Sequence, residues 1–296
     1  MTASYVFEAT IEGLVVGGIY ALLGLGFFLM FGVLKRLNLA YGTTLMVSVY
    51  LAALVVNEQG LSPLLTLPLA LILGVVISAA VERLAFAWVR GDGRFSMVST
   101  LGIWMLLEEI LIRTPGRGRG QAVANPFDLV MVPLGEMNLR LDYLIAFAGS
   151  LLLCFGVYAV LHRSDAGMKI RVVVEDRTLS ALLGLDARRV ARWAFAFAAV
   201  IGVLSGYIFS SVQTAVDVHF GMWATLKGLV ILVLGGVGSL WGVVAAALGL
   251  GVLERVGTEL AGPGYRDLIG YGLMVALLAL FPHGLGGHLA RQPTQA

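Results

Sequence analysis

His162, His219, His283 and His288 are the residues best suited to metal or acid–base chemistry in this sequence, and they are scattered. Only His283 and His288 are near one another, five apart with glycines between, a poor spacing for a shared metal ion. No clustered set of histidines or carboxylates suggests a membrane enzyme, so no catalytic or metal residue is assigned. The glycine cluster LGGVGSLWG, Leu234 to Gly242, lacks the Lys-Ser/Thr that completes a phosphate-cradling loop. If ATP powers this protein, another chain must hold it, and no cofactor is expected here. Cys154 lies alone in an apolar run, which rules out a disulfide within the chain.

The remaining candidates are charges in apolar surroundings. Lys227 sits inside WATLKGLVILVL, where a charge costs about 2.5–3.5 kcal/mol on insertion scales. It either lines a polar pathway, pairs with an acid, or snorkels to the outer interface from six residues inside the helix end. Snorkelling is the simpler reading. Glu108 and Glu109 lie near the outer end of a span. Glu109 and Arg113 are at i,i+4 and can pair locally. Glu108 then points elsewhere, which makes it the better pathway candidate.

The elements that must position these groups are membrane helices. The chain is 59% hydrophobic and 13% charged, with a mean hydropathy of +0.91, against about 25% charged residues in ordinary soluble domains. The expected fold is all-α and polytopic, a single membrane domain over residues 1–296 with a loop at 162–192. Apolar runs at Gly13–Leu34, Leu39–Val56, Leu64–Val89, Ser96–Ile112, Leu141–Leu161, Trp193–Val212, Gly221–Leu234, Leu240–Val256 and Asp267–Phe281 predict eight or nine helices. The count turns on the glycine cluster, which is either a broken or re-entrant element or a tight turn between two short helices. The rows Gly13/Gly17 and Gly238/Gly242/Ala246 predict close helix crossings. The N-terminus carries acids and no Lys or Arg, so the first span is expected to insert uncleaved. Lys and Arg concentrate in alternate loops, which puts the N-terminus outside and the 162–192 loop in the cytoplasm.

That loop holds a charged island, MKIRVVVEDRTLSALLGLDARRVARW, Met168 to Trp193. Val172 to Leu183 reads as one short amphipathic helix that starts with Glu175, Asp176 and Arg177. Gly184 at the C′ position stops it, and Asp186 caps the helix that follows. Leu179, Leu182 and Leu183 share one face. An interfacial helix lying on lipid is the plainer reading. The mix of acids with bases suits docking into a protein groove better.

Three blocks then carry a family resemblance. GGIYALLGLGFFLMFGVLKRLNLAYGTTLMVSVYLA (Gly17–Ala52), GMKIRVVVEDRTLSALLGLDARRV (Gly167–Val190) and LGGVGSLWGVVAAALGLGVLE (Leu234–Glu254) follow one another at the family's spacing. Together they resemble the branched-chain amino-acid type of ABC importer permease, its LivH-like branch, over nearly the whole chain. The resemblance implies a bacterial inner-membrane subunit without its own ATP site, set in the lipid bilayer. Its partners would be a second, LivM-like permease, two ABC ATPase subunits that bind ATP and Mg, and a periplasmic substrate-binding protein. No nucleic acid is implied. In the loop, Glu175, Asp176, Ala181, Leu182 and Gly184 match the family's coupling motif, with Arg171, Arg177 and Leu179 alongside them. Asn38 and Gly42 match the polar break after the first span. The chain departs from the family at Tyr41, where a histidine is usual, at Thr43, often a carboxylate, and at Glu108 and Glu109, usually neutral amides. With Asn38 and Lys227, the residues Tyr41, Thr43 and Glu108 are the pathway candidates, and the departures extend the expected cargo to related small polar or carboxylate solutes. A self-powered channel or secondary transporter is the competing reading, which would want paired intramembrane carboxylates.

Overall fold

The computed structural model of the chain describes residues 3–87, 93–113, 120–125, 130–134, 137–175 and 177–280. Helices dominate, because each run of apolar residues must satisfy its own backbone in lipid. They are α1 (Ala3–Leu34), α2 (Tyr41–Glu58), α3 (Thr66–Val81, continued by a π-turn at Glu82–Ala87), α4 (Gly93–Arg113) and α5 (Leu141–Arg163). After them come α6 (Asp165–Glu175), α7 (Arg177–Leu182), α8 (Ala187–Val212), α9 (Phe220–Gly235), α10 (Leu240–Ala261) and α11 (Arg266–Leu280). Among the described residues, six helical stretches are long and apolar enough to cross a bilayer: Phe7–Gly32, Pro63–Phe86, Phe95–Arg113, Leu141–Arg163, Ala187–Val212 and Leu240–Ala261. This is a multi-pass helical membrane protein.

Contacts group the chain into two compact units. The first comprises residues 1–28, 126–154 and 227–296. Here α1 and α10 cross at glycines: a Cβ on Gly13 would lie 2.6 Å from the Val252 Cα, and one on Gly17 would lie 2.7 Å from that of Leu248. No side chain fits between the backbones, which is how helices approach in lipid without a hydrophobic drive. A short hairpin of β2 (Met131–Leu134) and β3 (Met137–Arg140), in register Met131↔Arg140, leads into α5. The glycine cluster resolves as a turn. Helices α9 and α10 are each unbroken and are joined at residues 236–239, with the Ser239 hydroxyl accepting from the Gly242 N–H at 3.0 Å to cap α10.

The second unit comprises residues 29–125 and 155–226. Its centre is α2, buried on nearly every side although it carries Thr43, Thr44 and Ser48. Two of these hydroxyls return to carbonyls one turn back, Thr44 to Ala40 at 2.8 Å and Ser48 to Thr44, so a polar helix can sit in an apolar core. Helices α3 and α8 flank α2, and Phe86 meets Phe195 edge-on at 5.5 Å. Two short strands, β1 (Gln121–Ala122) and β4 (Ala215–Val216), pair antiparallel at one end.

Several helices outrun their expected spans. α1 begins at Ala3 rather than Gly13, because Glu8 and Glu12 change the polarity of the segment without breaking its hydrogen bonding. α8 begins at Ala187, directly after the expected Asp186 cap.

Candidate functional site

The charged loop is built from joints fixed at both ends. Ser164 separates α5 from α6: its hydroxyl donates to the Val160 carbonyl at 2.6 Å and accepts from the Gly167 N–H at 3.1 Å. α6 buries Gly167, Ile170 and Val173, spaced three apart, and leaves Met168, Lys169, Arg171 and Glu175 exposed. On both sides of Asp176 the described residues of the helix expected over Val172–Leu183 are helical, as far as Leu182. The apolar spacing of α6 turns it onto α8, whereas Leu182 and Leu183 are 82% and 62% exposed. Leu179 lies within α7, Ala181 is exposed, and Asp176 falls outside the described residues.

Past α7 the expected stop is present. The Leu185 N–H donates to the Ser180 carbonyl at 2.9 Å and the Gly184 N–H to that of Ala181 at 3.0 Å, with Gly184 at φ +72°. This is the Schellman pair of bonds, with glycine at C′. Asp186 caps α8, accepting from the N–H groups of Arg188 at 2.9 Å and Arg189 at 3.3 Å. The Arg189 and Arg188 amides, aided by the Arg189 and Arg192 charges, hold its carboxyl below the ordinary carboxylate range. The result is a helix end that presents two exposed leucines just before a capped turn.

The polar break before α2 is a second construction in the same unit. The Asn38 carboxamide oxygen accepts from the Ala40 N–H at 3.1 Å and its nitrogen reaches Met30 Sδ at 3.4 Å. The Thr100 hydroxyl accepts from the Leu39 N–H at 3.2 Å. Tyr41 is fully buried and donates to the Ala198 carbonyl at 2.9 Å. The Thr225 hydroxyl accepts from the Gly42 N–H at 3.0 Å and contacts the Leu39 and Gly221 carbonyl oxygens. Thr43 packs against Gly221, and its buried hydroxyl has no hydrogen-bond partner among the described residues. Asn38, Tyr41 and Thr43 are therefore enclosed by protein in this conformation. Thr225, which joins α9 to the break, was not legible in the sequence.

Glu109 pairs with Arg113, as their spacing suggests. Glu108 points away from that pair and meets His219 of the β4–α9 loop, Oε1 to Nδ1 at 2.7 Å. His283 and His288 lie outside the described residues.

Lys227 does not snorkel. It is buried in the first unit and ion-paired with Glu254 of α10, whose other oxygen accepts from the Tyr20 hydroxyl at 2.9 Å. The signal in the sequence was Glu254 itself, a lone acid after an apolar run and so in need of a partner.

The comparisons with known proteins agree with this construction. The family described as "Branched-chain amino acid transport system / permease component" matches residues 9–278. The permease protein BraD of Pseudomonas aeruginosa, from a high-affinity branched-chain amino-acid transport system, is 24% identical over 95% of this chain and 95% of that protein. Escherichia coli K12 LivH is 23% identical over 96% of each chain. LivM of the same organism is 28% identical over 90% of this chain and 67% of its own. Among solved structures, PsaBC from Streptococcus pneumoniae in complex with Fab shares the fold at a TM-score of 0.50 and 13% identity, covering 94% of this chain and 90% of that one. The match across almost the whole length, on a bundle of membrane-spanning helices, shows that the chain belongs to the family of branched-chain amino-acid transport permeases and is a transmembrane permease subunit of an importer.

Proposed function

We propose that this permease serves an ATP-driven importer in a bacterial inner membrane, carrying branched-chain amino acids or a related small polar or carboxylate solute. In this reading two ABC ATPase subunits hydrolyse ATP, and a periplasmic binding protein delivers the cargo. Its similarity to both LivH and LivM supports pairing with a second, related permease. The N-terminus faces the periplasm and the α6–α7 loop the cytoplasm, following the distribution of Lys and Arg. α2, α9 and α11 join the six long spans in one embedded set.

The observation that carries the ATP-driven reading is α7. Leu182 and Leu183 are bare at a helix end held by the Gly184 turn and the Asp186 cap. Apolar anchors on a rigid base suit a groove on a partner protein, which can push or pull through them. Exposed Arg171, Glu175 and Ala181 would frame that contact, with Asp176, Arg177 and Leu179 beside them in the sequence. Asn38, Tyr41, Thr43 and Glu108 mark the solute route, the first three at the break before α2.

The test is Leu182→Asp with Leu183→Asp. Both side chains are exposed, so the chain should still insert and assemble, while solute-stimulated ATP hydrolysis and uptake fall at least tenfold. Unchanged activity would remove α7 from the coupling role. Uptake by the permease in vesicles lacking any ATPase would favour a self-powered channel.

A further inference from the structure

Lys227 on α9 and Glu254 on α10 are each 1% exposed and form an ion pair. Tyr20 of α1 donates its hydroxyl to the second carboxylate oxygen. The ammonium lies 5.1 Å from the ring centre of Tyr271 on α11 and 6.0 Å from that of Tyr20. Gly270 closes the site, since a Cβ there would come within 2.7 Å of the lysine nitrogen. Thr258, one turn past Glu254, returns its hydroxyl to the Glu254 carbonyl. Four helices of one compact unit thus converge on a single pair of charges.

We propose that this cluster is a register lock, which fixes how α1, α9, α10 and α11 slide against one another, and that Lys227 is not a station on the solute route. A route-lining charge faces a water-filled cavity and must exchange partners with passing solute. This ammonium faces a carboxylate and two aromatic rings, and both carboxylate oxygens are engaged.

The need for a lock follows from the sequence around it. The faces that meet here are runs such as LVILVL of α9 and AAALGLGVL of α10, in which one turn resembles the next. In lipid, apolar burial does not distinguish registers. A slip of one turn would leave two charges unpaired away from water. A buried pair therefore selects a single arrangement even where it adds little net stability, as polar groups at coiled-coil seams do.

The experiment uses the full chain in nanodiscs with three variants: Lys227→Met, Glu254→Gln, and the neutral pair Lys227→Met with Glu254→Leu. Each single variant should lower the melting temperature by roughly 10 °C, and the neutral pair should recover more than half of that loss. Single variants as stable as wild type, or a neutral pair no better than the singles, would overturn the lock. A second arm places a thiol in the neutral background, Lys227→Cys with Glu254→Leu and Cys154→Ala. A water-soluble methanethiosulfonate reagent applied to intact membranes should leave it unlabelled. Labelling would return Lys227 to the solute route.

Discussion

The Leu185 N–H donates to the Ser180 carbonyl at 2.9 Å, and this bond closes the end of α7 around Gly184. Two residues later Asp186 begins the next helix, so the element that carries Leu182 and Leu183 turns back within a few residues. Under the proposed coupling role, motion imposed on those leucines would reach α8 with little loss in the connecting chain.

Gly184 is the position where that turn can be tested without disturbing a contact. It has φ +72° and nothing within 4 Å of an added Cβ, so a substitution meets strain alone. Gly184→Val should cost about 1–2 kcal/mol of local stability and lower solute-stimulated ATP hydrolysis in the assembled transporter. Gly184→Asn should largely retain it, because asparagine tolerates the left-handed region. Equal activity of the valine and asparagine variants would show that the turn does not transmit.

Asp186 gives a pH dependence of known sign. Its carboxyl is held below its reference value of 3.8 by the Arg189 and Arg188 amides. A depressed folded-state pKa contributes stability above the unfolded value and loses it as pH falls through the folded one. The melting temperature of Asp186→Ala should therefore lie below wild type near neutral pH. The gap should close as the pH drops below 3.8. Asp186→Asn should fall between Asp186→Ala and wild type near neutrality and lack the pH dependence, since asparagine caps a helix without the charge. A gap that persists in acid would mean that the carboxylate's charge is not what holds the start of α8.

The crossing of α1 and α10 predicts a sharp contrast between glycines. Gly13→Ala and Gly17→Ala each place a Cβ 2.6–2.7 Å from a backbone carbon, which cannot swing aside as a side chain can. Each should cost about 1–3 kcal/mol or disrupt assembly. Gly249→Ala on α10 meets nothing within 4 Å and should be tolerated or slightly stabilising. Thermal unfolding of the three variants side by side checks this ordering.

What was legible in the sequence was local. Gly184, Asp186 and the Glu109–Arg113 pair are each decided by partners within five residues, so spacing alone exposes them. Pairings across the bundle were not. Lys227 finds Glu254 27 positions away, Glu108 finds His219 111 away, and Tyr41 finds the Ala198 carbonyl 157 away. Nothing in a helix's own periodicity says which neighbour its polar side chain will meet. The packing of α6 was hidden for a related reason: the run of charges obscures the spacing of Gly167, Ile170 and Val173, which lays α6 onto α8.

Tyr41 separates a packing role from a role on the solute route. Its hydroxyl donates to the Ala198 carbonyl at 2.9 Å inside a buried core, and a Cβ on Gly202 would press on its ring. Tyr41→Phe removes only the hydrogen bond and should cost about 1 kcal/mol. Tyr41→Ala also empties the ring's volume and should cost about 3–5 kcal/mol. If Tyr41 serves packing alone, uptake per folded transporter should be unchanged in Tyr41→Phe and should fall in Tyr41→Ala only with the folded amount. If its hydroxyl meets the solute in another state of the cycle, Tyr41→Phe should lose uptake out of proportion to its small change in stability. Parallel measurement of thermal unfolding and uptake distinguishes the two, because a pure loss of packing moves both together.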